Sequence, residues 1–216
     1  MAQIFHRSTN TIARVTIFGG IFILALLSWV WAELYRSDYS TEVNVVRDQP
    51  VPFSHKHHVS DDGIDCRYCH TTVETSKFAG IPGTDTCMTC HSEIWADSPM
   101  LQPVRDSYQT GKSIEWARVH VLPDYVFFDH SIHVSKGIGC STCHGRVDQM
   151  PLTWSVNTLF MGWCLDCHRT PALFVRPRDQ VFNMSWVPPA DQPIQGEKLV
   201  KEYKIKSQTD CWTCHR

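Results

Sequence analysis

Cys66-Arg67-Tyr68-Cys69-His70 is a Cys-x-x-Cys-His motif, and the chain repeats it four more times. The other copies are Cys87-Met88-Thr89-Cys90-His91, Cys140-Ser141-Thr142-Cys143-His144, Cys164-Leu165-Asp166-Cys167-His168 and Cys211-Trp212-Thr213-Cys214-His215. Together they use all 10 cysteines of the 216 residues. Zinc knuckles and disulfides also use Cys-x-x-Cys pairs, but neither explains a histidine directly after every pair. Attachment of c-type haem explains both features. The two thiols add to the haem vinyl groups, and the adjacent histidine becomes the proximal iron ligand. The motifs therefore predict five covalently attached haem c groups, with His70, His91, His144, His168 and His215 on the irons.

Composition sets the kind of fold that can hold them. Beyond the first 35 or so residues about 180 remain, or about 36 per haem. That is too little chain for a conventional apolar core with separate cofactor pockets, so the porphyrin faces must supply much of the core. Little regular secondary structure is expected, in keeping with 12 Pro and 11 Gly. A formal charge of −2 argues against nucleic acid as a partner.

The N-terminal region carries one apolar run, Val15 to Ala32, long enough to cross a bilayer as a helix. Arg7 and Arg14 precede it, while Glu33, Arg36, Asp38 and Glu42 follow. The positive-inside rule puts residues 1–14 in the cytoplasm, a transmembrane helix at 15–34, and the haem region on the extracytoplasmic side. A cleaved signal peptide is the rival reading; the length of the run favours a retained anchor. Trp29, Trp31 and Tyr35 are expected at the outer interface, and Gly19-Gly20 provides a flat patch for a neighbouring helix.

The remaining chain contains a duplication. Phe53-Ser-His55-Lys-His-His58-Val59-Ser60 aligns with Phe128-Asp-His130-Ser-Ile-His133-Val134-Ser135, and Gly63-Ile64-Asp-Cys66 aligns with Gly137-Ile138-Gly-Cys140 after a one-residue deletion. A second attachment motif follows in each half. Residues 35–115 and 116–170 thus read as two related two-haem modules. Residues 171–216, rich in Pro and polar side chains, read as an irregular arm carrying the fifth haem.

The same duplication nominates distal ligands. The five motif histidines and His6, which precedes the apolar run, leave six of the 12. His55 and His58 occupy repeat positions equivalent to His130 and His133, and His-x-x-His spacing puts both imidazoles on one side of a helical turn. His120 is the natural fifth ligand. His57 falls outside the pattern, because Ile132 stands in its place, and reads as a surface residue. Methionine is also an axial ligand, so Met150 or Met161 could replace a histidine at one haem. The ordinary use of a methionine is packing against a haem edge. Arg146, Arg169, Arg176 and Arg178 follow haem motifs and could pair with propionates or lie on a solvated face. With every iron six-coordinate, electron transfer is the default role and catalysis at haem is not expected.

Phe-x-His-x-x-His-Val before an attachment motif resembles the class III multihaem cytochromes c. Val121 to His133, then Cys140-Ser-Thr-Cys-His-Gly145-Arg-Val, then Met161-Gly-Trp-Cys164-Leu-Asp-Cys-His-Arg169 resemble the pentahaem subunit (ActA) of bacterial alternative complex III. The resemblance covers nearly the whole chain. It implies a class III-like multihaem cytochrome c, mostly irregular with short α-helices around the haems, plus one N-terminal transmembrane helix in the inner membrane of a bacterium. It also implies an electron-transfer subunit without catalysis of its own, relaying electrons within a membrane quinol:acceptor oxidoreductase. The implied partners are an iron–sulfur protein, polytopic quinol-binding subunits and a monohaem cytochrome c. A self-sufficient, membrane-anchored quinol dehydrogenase of the NapC/NirT type is the alternative, and it would leave one haem with an open or weakly held axial position.

Overall fold

The computed structural model describes residues 4–215. The chain divides into two compact units, Met1–Val43 and Asn44–Arg216. The first holds helix α1 (Thr9–Arg36) and the one-turn helix α2 (Asp38–Thr41). At 28 residues α1 is about 42 Å long, with a mean hydropathy of 2.1 over its most apolar window and no buried residue. It is long and apolar enough to cross a membrane.

From Asn44 on, the elements are short. Helices α3 (Cys66–Cys69), α4 (Thr84–His91), α7 (Cys140–His144), α8 (Met161–Arg169) and α10 (Cys211–Cys214) each carry an attachment motif. A single helical turn is what the motif requires. It puts the two thiols, three residues apart, and the following imidazole on one face. Asp65 caps α3 by accepting the Arg67 amide at 2.8 Å. Helices α5 (Gln102–Thr110), α6 (His130–Ser135) and α9 (Gln192–Glu202) complete the set. Among the described residues there is no β-strand; isolated bridges join Val46 with Trp154 and Ile138 with Val175.

The duplication survives in three dimensions, and its one-residue difference has a structural meaning. In the second half the paired histidines lie on α6, an ordinary α-helix, and the Ile138 amide donates to the His133 carbonyl. In the first half the equivalent segment, Lys56–Asp61, is a π-helix, and Ile64 donates to His58. A π-turn absorbs one extra residue without moving the flanking chain. Both segments then end on glycines in the left-handed region, Gly63 at φ 71° and Gly137 at φ 78°, a conformation that costs glycine little. Gly137 is constrained twice over, since a Cβ there would press on the Arg176 carbonyl.

Buried apolar side chains are few. Val51, Leu101 and Val104 form one small cluster, with Cys87, Met88, Ile114 and Trp116 packed on it. Val175 and Val181 are the large side chains buried most completely. The expected irregular arm departs from its reading. Within residues 171–216, α9 runs for 11 residues and lies against the 3-10 turn Pro171–Leu173. Gly196 permits this contact, because a Cβ would run into the Ala172 carbonyl. Buried Gln192 completes it by donating to Ala172 O at 2.9 Å and Val175 O at 2.8 Å. The prolines at the start of each turn suit first-turn helical positions, which is why a proline-rich stretch could still form a helix. Gly196→Ala is expected to destabilise the domain by about 1–3 kcal/mol through overpacking. Urea unfolding of the variant checks this, and an unchanged midpoint would show that the contact relaxes freely.

Candidate haem sites

Four of the five motif histidines face a second imidazole. The ring centres of His55 and His70 are 6.4 Å apart with an interplanar angle of 9°, and those of His130 and His144 are 6.4 Å apart at 10°. His58 and His91 lie 6.1 Å apart at 67°, and His133 and His168 6.1 Å apart at 55°. A metal holds an imidazole nitrogen at about 2.0–2.1 Å, and that nitrogen lies about 1.1 Å from its ring centre, so two trans imidazoles put their centres about 6.3 Å apart. The residues fit an iron between each pair. The pattern of facing is the same in both halves: the first histidine of each His-x-x-His faces the histidine of the nearer motif and the second faces that of the motif after it.

The far side of each imidazole is tied down. His70 Nδ1 meets Gly80 O at 2.6 Å, His91 meets Ile94 O at 2.9 Å, and His168 meets Gln208 O at 2.8 Å. On the distal side His58 meets Ser54 O at 2.8 Å, His130 meets Lys77 O at 2.8 Å, and His133 meets Asp129 O at 2.7 Å. His55 Nδ1 is 2.9 Å from the Thr153 hydroxyl. A carbonyl can only accept, so the carbonyl contacts put the proton on Nδ1 and leave Nε2 as a free base able to bind iron. Phe53 stacks on His58 at 4.6 Å and meets His55 edge-on at 4.9 Å. Phe128 repeats this on His133 at 4.6 Å and His130 at 4.8 Å. The orienting role of these two phenylalanines was hidden in the sequence, although their repetition at one register was the signal for it.

Two expected sites look different. His120 does not face His215. Its Nε2 lies 3.2 Å from His144 Nδ1, with the rings edge to face at 4.3 Å. His215 instead rests its Nδ1 3.2 Å from Tyr125 O, beside the Tyr125 ring at 5.8 Å, and among the described residues no imidazole pairs with it. Met150 is 2 % exposed and packed, whereas Met161 is 65 % exposed at the start of α8. His57 lies on the surface near Asp61 and Asp62.

Arg176 also departs from a solvated face, being 3 % exposed. Its Nη2 donates to the hydroxyls of Ser141 at 3.2 Å and Thr142 at 2.9 Å, inside the third motif, and its guanidinium lies 4.3 Å from the Trp186 ring centre. Its Nε is buried with no partner. A buried cation with an unspent donor suits an anionic haem propionate. Arg146 is held by Asp148 at 2.7 Å, and Arg178 donates to Ser135 O at 2.9 Å.

The motifs contact one another in an order different from that of the chain. Tyr68, inside the first motif, is hydrogen-bonded to Thr89 of the second at 2.9 Å, and burial raises the Cys87 thiol with Cys69 the next cause. The first and third motifs meet around residues 181–182. Cys140 N donates to Val181 O at 3.2 Å, and Arg67 sits 4.5 Å from the Phe182 ring centre. Burial pushes the Cys140 thiol up to about 11, with Cys66 second. Burial pushes Cys143 up to about 12, with Cys167 of the fourth motif second. The fourth and fifth motifs join where Ser207 Oγ donates to His168 O at 2.8 Å, and Cys164 is raised by burial and then by Cys214. The spatial order is second, first, third, fourth, fifth.

Residues 126–216 match the family described as cytochrome c7 and related cytochrome c. The chain is also 35% identical over 130 residues to the menaquinone reductase multihaem cytochrome c subunit of Nitratidesulfovibrio vulgaris (strain Hildenborough), a match covering 59% of this chain and 57% of that protein. Residues 126–216 are thus similar to a cytochrome c domain, and the relative matched over the longer stretch is a multihaem cytochrome c subunit. The fold is cytochrome c7-like, helical and irregular. Haem c, when bound, would supply a redox centre. The motif thiols would hold it covalently, while the Nδ1 contacts orient the imidazoles and the packed side chains set apolar surroundings.

Burial favours the neutral form of His144, His55 and His133. It pushes His144 down to about 3, with His120 the next cause, and His55 down to about 4, with His70 next. His133 is lowered by burial too. Their unfolded pKa is about 6.5, so the unfolded chain takes up protons first as pH falls. The stabilisation is complete above pH ~6.5 and is lost progressively as pH falls towards the folded values. Competition between protons and metal for the same nitrogens has the same sign. Acid unfolding followed by circular dichroism is expected to show stability declining from pH ~6.5 downward; a flat profile to pH ~4 would contradict it.

Proposed function

We propose that the chain binds five haem c groups and relays electrons along them in the order second, first, third, fourth, fifth motif. The relay serves a quinone-linked membrane complex of the alternative complex III type. The four imidazole pairs at 6.1–6.4 Å carry this reading, since two strong ligands on an iron leave it no position for substrate but let it exchange electrons. His70, His91, His144 and His168 are the proximal ligands, His55, His58, His130 and His133 the distal ones, and His215 the proximal ligand of the fifth haem. Helix α1 anchors the chain in the inner membrane, with the haems outside the cytoplasm.

The relative in N. vulgaris is named as the multihaem subunit of a menaquinone reductase, which supports a quinone-linked complex as the setting. The expected partners are an iron–sulfur protein, polytopic quinone-binding subunits and a monohaem cytochrome c. One observation favours the second reading, a self-sufficient quinol dehydrogenase: among the described residues no imidazole faces His215, which would leave its haem an open position. Purification from native membranes in mild detergent, with intact masses of every component, separates the two. Five haem masses on this chain together with an iron–sulfur protein and polytopic subunits support the relay. This chain alone, still reduced by quinol, overturns it.

A further inference from the structure

Every oriented imidazole in the four paired sites rests its Nδ1 on an oxygen except one. His144 rests on a nitrogen, Nε2 of His120, at 3.2 Å. His144 turns its other face to His130, at ring centres 6.4 Å apart and nearly parallel, so Nε2 is the metal-facing atom and Nδ1 carries the proton. His120 Nε2 must then accept it. The strap that delivers His120 is pinned in place: Gln49 donates to Ala117 O at 2.8 Å and accepts the Ala117 amide at 2.9 Å, and Arg47 donates to Arg118 O at 2.9 Å. Three hydrogen bonds spanning about 70 residues of sequence position one imidazole against another.

We propose that His120 is not an axial ligand but a positioning residue for the third haem, accepting the Nδ1 proton of His144 and lowering that haem's potential. The chemistry follows from basicity. An imidazole nitrogen is a far stronger base than an amide carbonyl, so it draws the His144 proton further away. The His144 ring gains anionic character and donates more strongly to iron, which favours the ferric state. The third motif lies in the middle of the spatial order, so its haem is the one every electron must cross. A tuned centre there governs the whole relay.

This inference rests on the reading of His130 and His144 as ligands of one haem. The test uses the full-length protein in mild detergent, as His120→Ala and His120→Gln, with haem count by intact mass, electron paramagnetic resonance and a potentiometric titration. In His120→Ala the coordination and spin state of every haem stay as in the parent protein, reduced protein gains no carbon monoxide binding, and one potential rises while the others hold. His120→Gln, whose amide oxygen can still accept, returns that potential part of the way. A new high-spin haem in His120→Ala would make His120 an axial ligand and overturn the proposal, as would potentials that do not move. A parent protein lacking haem on Cys140 and Cys143 would instead overturn the ligand reading beneath it.

Discussion

Alanine at both Cys140 and Cys143 is expected to cut the electron path in two. Those thiols would attach the third haem, and the groups that act on them include both Cys66 of the first motif and Cys167 of the fourth. Without it, the haems of the first and second motifs keep each other, linked through Tyr68 and Thr89, and those of the fourth and fifth keep each other through His168, Ser207 and Gln208. Intact mass should fall by one haem. Stopped-flow reduction through one end should then show two haems reduced at the parent rate and the other two slowed by orders of magnitude. Alanine at Cys87 and Cys90 removes an end of the path instead, and the remaining four haems should reduce together. Four haems reduced together in the Cys140/Cys143 variant would refute the spatial order. The folded scaffold should survive in part, because Arg176 still grips Ser141 and Thr142.

Loss of a distal imidazole should change one haem and leave its neighbour intact, and the geometry names which. His58→Ala should convert the haem of the second motif to a five-coordinate, high-spin, carbon monoxide-binding centre, because His58 faces His91 and not the nearer His70. His133→Ala should do the same at the fourth motif, because His133 faces His168. Combining either change with removal of the named motif's cysteines should abolish the new high-spin signal; its persistence would show that the histidine serves another iron. Substituting a water or an empty position for an imidazole removes a strong donor to ferric iron, so the affected potential should rise. These changes act on single centres, and their effect on the relay should be smaller than that of the severed path.

The haem cofactor was legible in the sequence because covalent attachment demands fixed spacing. Two thiols three apart and a histidine beside the second are a local arrangement, which one turn of chain specifies by itself. The histidines that face motif imidazoles at four sites were legible for a related reason. His55, His58, His130 and His133 recur at one register in a duplicated segment, and a repeated residue keeps its repeated surroundings, down to the phenylalanine stacked on each pair. Helix α1 was legible from unbroken apolar composition. Helix α9 was not, because prolines at Pro171 and Pro193 read as breakers when their places at first helical turns are unknown. Burial of Arg176 was also hidden, since an arginine's surroundings are written in Trp186, Ser141 and Asn183 and not in its own neighbours.

By itself the sequence determined the chemistry: thiols and imidazoles in local motifs, a duplicated segment with paired histidines, and an apolar helix ahead of them. The tertiary structure alone decided which imidazole faces which, the order in which motifs touch, and the place of His120. His120 was counted as a ligand because it was the histidine left over. Counting cannot see that Gln49 and Arg47, about 70 positions away, draw its strap against His144. Pairing across such distances is set by how separate turns pack, and packing depends on the whole folded surface that no short stretch of chain encodes.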